Sequence, residues 1–272
     1  MRGFISLPHS TSTLRELWQT RYLIASLVQR DLTIRYRQTW LGWLWAVFNP
    51  LIQLGMYYTV FGLIARLTPP DYTVPYTWVL LSGLVIWMLF SSTLNTVGET
   101  LLNNLHLIKK IYFPRISLTL ASLATSLMDF LLALICLCLL LPLGGVYFPL
   151  AHLPLLLVCG LFAALVAWGT GCIIALARVR FRDFRHLTPL IVQGWFYATP
   201  VVWTPGLLPE RWKWLMACNP LYGIVGAFRY LLLGGTAPSA LALFSSAGIS
   251  LIIAAAGYVC FVRFESAVAD QQ

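Results

Sequence analysis

The chain has 272 residues, 59% of them hydrophobic and only 10% charged. Soluble domains carry roughly 25% charged residues, so this composition excludes an ordinary soluble globule and points to a membrane protein. Lys and Arg outnumber Asp and Glu by 18 to 9, but membrane topology explains that excess, and no nucleic-acid partner is expected.

Residues 1–13 are polar. The first 40 residues carry six arginines and two acids and lack a compact apolar core, so they do not read as a cleavable signal peptide. From Leu14 to Arg37 (14–37) the pattern predicts an amphipathic helix. Leu14, Leu17, Trp18, Ile24, Ala25, Val28 and Leu32 fall on one side of a 3.6-residue wheel, and Leu23 and Leu27 fall off the pattern. Its arginines and Trp18 suit the headgroup plane of a membrane, as a bare anchor or as an anchor that also touches a protein.

Six spans are expected, at 40–65, 76–97, 116–143, 153–177, 187–203 and 241–262, since a bilayer crossing needs about 20 apolar residues. Pro50 lies inside the first, where neighbouring helices can satisfy a freed carbonyl. After the second comes an island of charge and amide, ETLLNNLHLIKKIYFPRIS (99–117). Leu101, Leu105, Ile108 and Tyr112 share one helical face there, which predicts a short amphipathic helix over 101–114, closed by Pro114. It reads either as a contact with something outside the membrane or as a basic loop that only fixes topology. The third span holds Asp129, the one acid deep in an apolar run, which should face protein or a wet cavity and reads first as a helix–helix hydrogen bond. The run Arg178–His186 carries four arginines, and 210–235 is apolar but broken by Asn219, Pro220, Gly223, Gly226 and Arg229. That composition suits a re-entrant hairpin.

With the N-terminus inside, all but four of the 18 basic residues (Arg66, Arg211, Lys213, Arg229) fall on the inner side. The positive-inside rule then places both termini in the cytoplasm. The fold class expected is therefore an all-α polytopic membrane protein in a single transmembrane domain, 1–272.

The chemistry expected is sparse. None of the three lysines follows a glycine, so no GxxxxGK[ST] phosphate loop exists. The four histidines and six cysteines show no metal spacing, and there is no GxSxG and no close carboxylate pair. No catalytic residue, metal or cofactor is nominated. Most tryptophans near span ends read as interfacial belts. Rings farther in, such as Tyr57, Tyr58, Phe61, Trp195, Phe196 and Tyr197, read first as packing and second as a path for sugar, whose C–H faces stack on aromatics.

Three stretches carry a resemblance. LVQRDLTIRYRQTWLGWLWAVFNPLIQ, NNLHLIKKIYFPRISLTLAS and CNPLYGIVGAFRYLLLG resemble, in this order, the membrane subunits of ABC transporters that export O-antigen, teichoic acid and capsular polysaccharide. The resemblance implies a homodimeric permease in the bacterial cytoplasmic membrane with two copies of a separate ATPase. ATP and Mg would be held by that partner, and the cargo would be a lipid-linked glycan. It implies a coupling helix that presents Leu105, Ile108, Lys109, Lys110, Tyr112, Phe113 and Pro114 to the ATPase, with Arg30 of the N-terminal helix beside it. It also implies an outer gate over 210–235 that includes Asn219, Pro220 and Arg229. A substrate path is placed at Trp43, Tyr58, Phe61, Trp195 and Tyr197, with Arg35, Arg37 or Arg182 meeting a diphosphate head. A small-molecule exporter and a membrane-embedded glycan transferase are the alternatives. The first would often bring a large extracellular domain or fused ATPase, which this sequence does not show; the second should bring acidic or basic catalytic residues in a large loop, and every loop here is short apart from the one before the last span.

Overall fold

The computed structural model describes residues 20–37, 40, 42–110 and 113–269. Those residues are helical wherever they are regular: α1 Arg21–Tyr36, α2 Trp45–Ile64, α3 Tyr76–Asn103, α4 Leu105–Lys110, α5 Ile116–Leu143, α6 Leu153–Arg180, α7 Phe184–Ala198, α8 Glu210–Met216, α9 Pro220–Leu233 and α10 Ala240–Ala269. Among the described residues five helical stretches are long and apolar enough to cross a bilayer: Trp45–Ile64, Tyr76–Asn103, Ile116–Leu143, Leu150–Arg180 and Ala240–Phe264. The chain is a multi-pass membrane protein.

The bundle is built around α3. Leu80, Leu84, Phe90 and Leu94 are wholly buried along it, and α5, α6 and the outer part of α9 close over it. On its other side α6 carries α10 at backbone distance. A Cβ at Gly169 would strike the Ile253 carbonyl, one at Gly257 would strike the Gly169 backbone, and one at Gly171 would meet Val97. Small residues here let two helices approach more closely than Leu-sized side chains permit. By contrast α2 lies at the edge and leaves Phe48, Ile52, Met56, Val60 and Leu63 exposed.

The C-terminal part of α2, Tyr58–Ile64, widens to π-helical geometry, and the Ala65 N–H reaches back to the Val60 carbonyl at 2.9 Å. Gly62 makes room there, because a Cβ at that position would collide with the Tyr58 ring.

Several boundaries differ from the sequence expectation, each for a local reason. The stretch expected as a fifth span, 187–203, forms the 15-residue α7, about 22 Å long and short of the roughly 30 Å hydrocarbon core. It ends where Thr199 turns to extended backbone ahead of Pro200. The helix expected over 101–114 is divided. Residues 101–103 belong to α3, and the chain breaks at Asn104, whose side-chain amide donates to the Thr100 carbonyl at 2.9 Å in place of a continuing backbone N–H. The expected hairpin 210–235 consists of α8 and α9. Asn219 caps α9 by accepting from Leu221 N at 3.0 Å, and Pro220 follows as its first residue.

Candidate functional site

The end of the bundle that carries α4 holds a polar cleft beneath α1. This helix lies across the start of α5 and against α4: Leu27 is buried on Leu118 and Ala121, with Leu23, Ile24 and Val28 beside Leu107, Ile108 and Phe113. The sequence expectation for its face is corrected here. Leu27, off the wheel pattern, is the residue most deeply packed, whereas Ala25, on the pattern, is exposed. Burial on α1 is set by α5 and α4 rather than by a water–lipid boundary. Leu14, Leu17 and Trp18 lie outside the described residues.

Two arginines of α1, Arg30 and Arg35, are engaged with the spans. Arg30 donates to Asp31 at 2.7 Å and to the Asn104 side-chain carbonyl at 2.9 Å, so α1 grips the break between α3 and α4. Arg35 forms an ion pair with Asp129 of α5, and the Tyr36 hydroxyl donates to the other oxygen of the same carboxylate. Burial, reinforced by that hydrogen bond and the carboxylate charge, pushes the Tyr36 phenol far above its ordinary value, so it remains a donor. Asp129 thus makes the helix–helix hydrogen bond expected of it, with a partner that the sequence pattern left unnamed. Two cavities adjoin this cluster, of about 530 Å³ on the α4 side and about 500 Å³ on the α2 side.

Within the segment expected from the sequence to be a coupling helix, Lys109, Lys110 and His106 are exposed, whereas Leu105, Ile108, Phe113 and Pro114 are half-buried. Ile108 touches both the α1–α5 cluster and the apolar cluster formed by α3, α6 and α10. Tyr112 and the Trp43 side chain lie outside what is described. Arg37 and Arg182 are exposed.

A second charged tie closes the same end. The Arg178 guanidinium donates to Glu99 at 3.0 Å and to the Thr188 hydroxyl at 3.3 Å, joining α3, α6 and the start of α7. Its side chain is 3% exposed and that of Glu99 51%. Arg178 is therefore a buried structural residue and not a loop charge. That asymmetry makes a prediction. Glu99→Ala strands a buried cation and is expected to cost about 1–3 kcal/mol. Arg178→Met leaves a carboxylate already half in water and is expected to cost less. Thermal unfolding of both variants in detergent checks the order.

The inner rings pack on one another. Tyr57 and Phe196 are 4.8 Å apart between centroids, Phe196 and Trp87 5.2 Å, and Phe90 and Trp195 4.9 Å. Tyr58 stacks on Tyr76 and Phe61 on Tyr57, both at 6.4 Å. Trp195 also donates its indole N–H to Asn219 at 3.2 Å. Of the path rings proposed from sequence, Tyr58, Phe61 and Trp195 are thus held in the core or at its edge, and Tyr197 is exposed. At the end of the bundle away from α4, Pro220 is buried, and Arg229, expected as an outer-side charge, is 1% exposed. Arg229 donates to the Val201, Val79 and Trp203 carbonyls at 2.5, 3.1 and 3.2 Å.

Asn104, Glu99 and Arg178 were not nominated as site residues. The only sequence signal for them was the polar composition of 99–117 and the arginines of 178–185.

The family profile described as ABC-2 type transporter matches residues 22–233, well over half of the chain. A similar protein is an O-antigen export system permease, RfbA, of Myxococcus xanthus, 29% identical over 244 residues that cover 88% of this chain and 91% of that protein. Another, from Klebsiella pneumoniae and of the same name, is 28% identical over 79% of this chain and 81% of its own. The polysialic acid transport protein KpsM of Escherichia coli is 23% identical over 78% and 81%.

Proposed function

The chain belongs to the ABC-2 type transporter family, and from that premise we propose that it is the permease of an ATP-driven exporter of a lipid-linked polysaccharide of the O-antigen kind. The observation that carries this reading is likeness over most of both chains to O-antigen export permeases. Teichoic acid and capsular polysaccharide are the neighbouring cargoes, and the weaker likeness to a polysialic acid transport protein fits the latter class.

In this reading two copies of the chain pair in the bacterial inner membrane, with α2 supplying apolar surface for the second copy. Both termini face the cytoplasm. Segment α7, with α8 and α9, completes a sixth crossing whose outer part returns into the bilayer as a gate. Two ATPase subunits, which hold ATP and Mg, dock on α4 and the exposed side of α1. Their closure is delivered to Lys109, Lys110 and Ile108 and moves the packed helices as units. The diphosphate head of the glycan lipid meets cytoplasmic arginines, with Arg37 and Arg182 exposed for it and Arg35 released from Asp129.

The test is co-purification with the ATPase encoded beside it, followed by hydrolysis assays with lipid-linked glycan. Stimulation by that lipid supports the reading. Hydrolysis that answers only to small hydrophobic molecules would move it to drug export. Lys109→Glu combined with Lys110→Glu is expected to lower lipid-stimulated hydrolysis by roughly tenfold, on the scale of a 1.4 kcal/mol coupling loss, while leaving the amount of permease in the membrane unchanged. Quantitative blotting beside the assay separates the two.

A further inference from the structure

The two cavities under α1 meet at one place. Arg35 lines both. Thr96 lines the chamber on the α4 side, and Ser92 the chamber on the α2 side. These two residues stand one helical turn apart on α3, about 6 Å along its axis. The same change occurs on α5, where Ser122 and Thr125 line the first chamber and Ser126 and Asp129 the second. What stands between is the Arg35–Asp129 pair, the Tyr36 hydroxyl on the same carboxylate, and a Thr96–Ser126 hydroxyl contact at 3.4 Å.

We propose that this pair is a movable partition, and that parting it joins the two chambers into one groove, polar at the α4 end of the bundle and largely apolar farther in. The contrast with Arg178 carries the point. The Arg35 and Asp129 side chains are 33% and 22% exposed, whereas Arg178 is 3% exposed. Arg35 lines both cavities and Asp129 the second, so this pair faces open space, and parting it does not require unpacking the bundle as freeing Arg178 would. The far chamber suits an amphipathic ligand such as a sugar: Trp45 offers ring surface, and Asn49 and Ser92 offer hydrogen-bonding groups, in a lining that is otherwise mostly apolar. A role in cargo passage rests on the exporter reading. The partition itself does not, and the test below reads it without export.

Thr96→Cys and Ser92→Cys are introduced singly into the full-length permease with its ATPase. Permeabilised membranes are then treated with sulfonatoethyl methanethiosulfonate, and peptide mass spectrometry tells the new thiols from the native cysteines. With the pair intact, Ser92→Cys is expected to react at least about tenfold more slowly than Thr96→Cys, the reading of a closed state favoured by that ratio. Adding Asp129→Asn or Arg35→Gln should bring it to the Thr96→Cys rate. Exchanging the charges, Arg35→Asp with Asp129→Arg, should make it slow again. Equal rates with the pair intact, no change on its removal, or a fast rate in the exchanged protein would each overturn the proposal. Loss of both neutral variants from the membrane would also overturn it, because the pair would then be a folding element.

Discussion

Arg229→Met is expected to remove most folded protein from the membrane. The guanidinium is 1% exposed and serves three backbone carbonyls, from α3 and from the bend after α7. An acceptor left unpaired in a buried site costs about 1–3 kcal/mol. The Val79 carbonyl keeps the Ser82 hydroxyl at 2.9 Å, so two acceptors, Val201 and Trp203, are orphaned together, which sums to about 2–6 kcal/mol and places this substitution at the costly end of single changes. Methionine replaces much of the volume but none of the donors. Arg229→Lys should fall between, since one ammonium on a linear stem cannot span three acceptors placed for a planar fork. The readouts are membrane protein level and unfolding temperature in detergent. Wild-type stability in Arg229→Met would show that the carbonyls find other partners.

Gly257→Leu should rank second. Its Cβ would run into the Gly169 backbone, and a backbone cannot rotate aside as a side chain can. Helices α6 and α10 would have to separate along their whole contact. Overpacking typically costs about 1–3 kcal/mol, and the absence of a yielding neighbour puts this case at the upper end. Gly248→Ala on the same helix is the control, because nothing lies within 4 Å of the added methyl. It should be neutral or stabilise by up to about 1 kcal/mol through helix propensity. Unfolding curves for the two variants should move in opposite directions. A shared destabilisation would point to the helix itself rather than to its packing.

The elements were legible wherever breakers bounded an apolar run. Helix α5 occupies 116–143 as expected, between Pro114 and Gly144. The run 187–203 is helical only in part: hydropathy continues through residues 199–202 after α7 has ended at Ala198, and those buried residues form a bend. Charges were the harder case. Arg178 and Arg229 read as topology markers by position, yet each is enclosed by helices distant in sequence. Asp129 was marked as an acid needing company, but its partners lie 93 and 94 positions earlier, where no local spacing records them. The ring cluster was legible as packing, which is how Trp195 and Phe196 are used.

Helix α3 has one further mechanical consequence. It is about 42 Å of unbroken helix, hinged at Asn104 beside Arg30 at one end and pinned at Val79 by Arg229 near the other. Packed along its length, it has little freedom to bend or slide alone, so it behaves as a stiff lever: tilting it by 10° would carry its far tip about 7 Å, with each intervening turn adding only to the reach. A tilt imposed at Asn104 would therefore be handed on to the bend that Arg229 holds, and not absorbed within the helix.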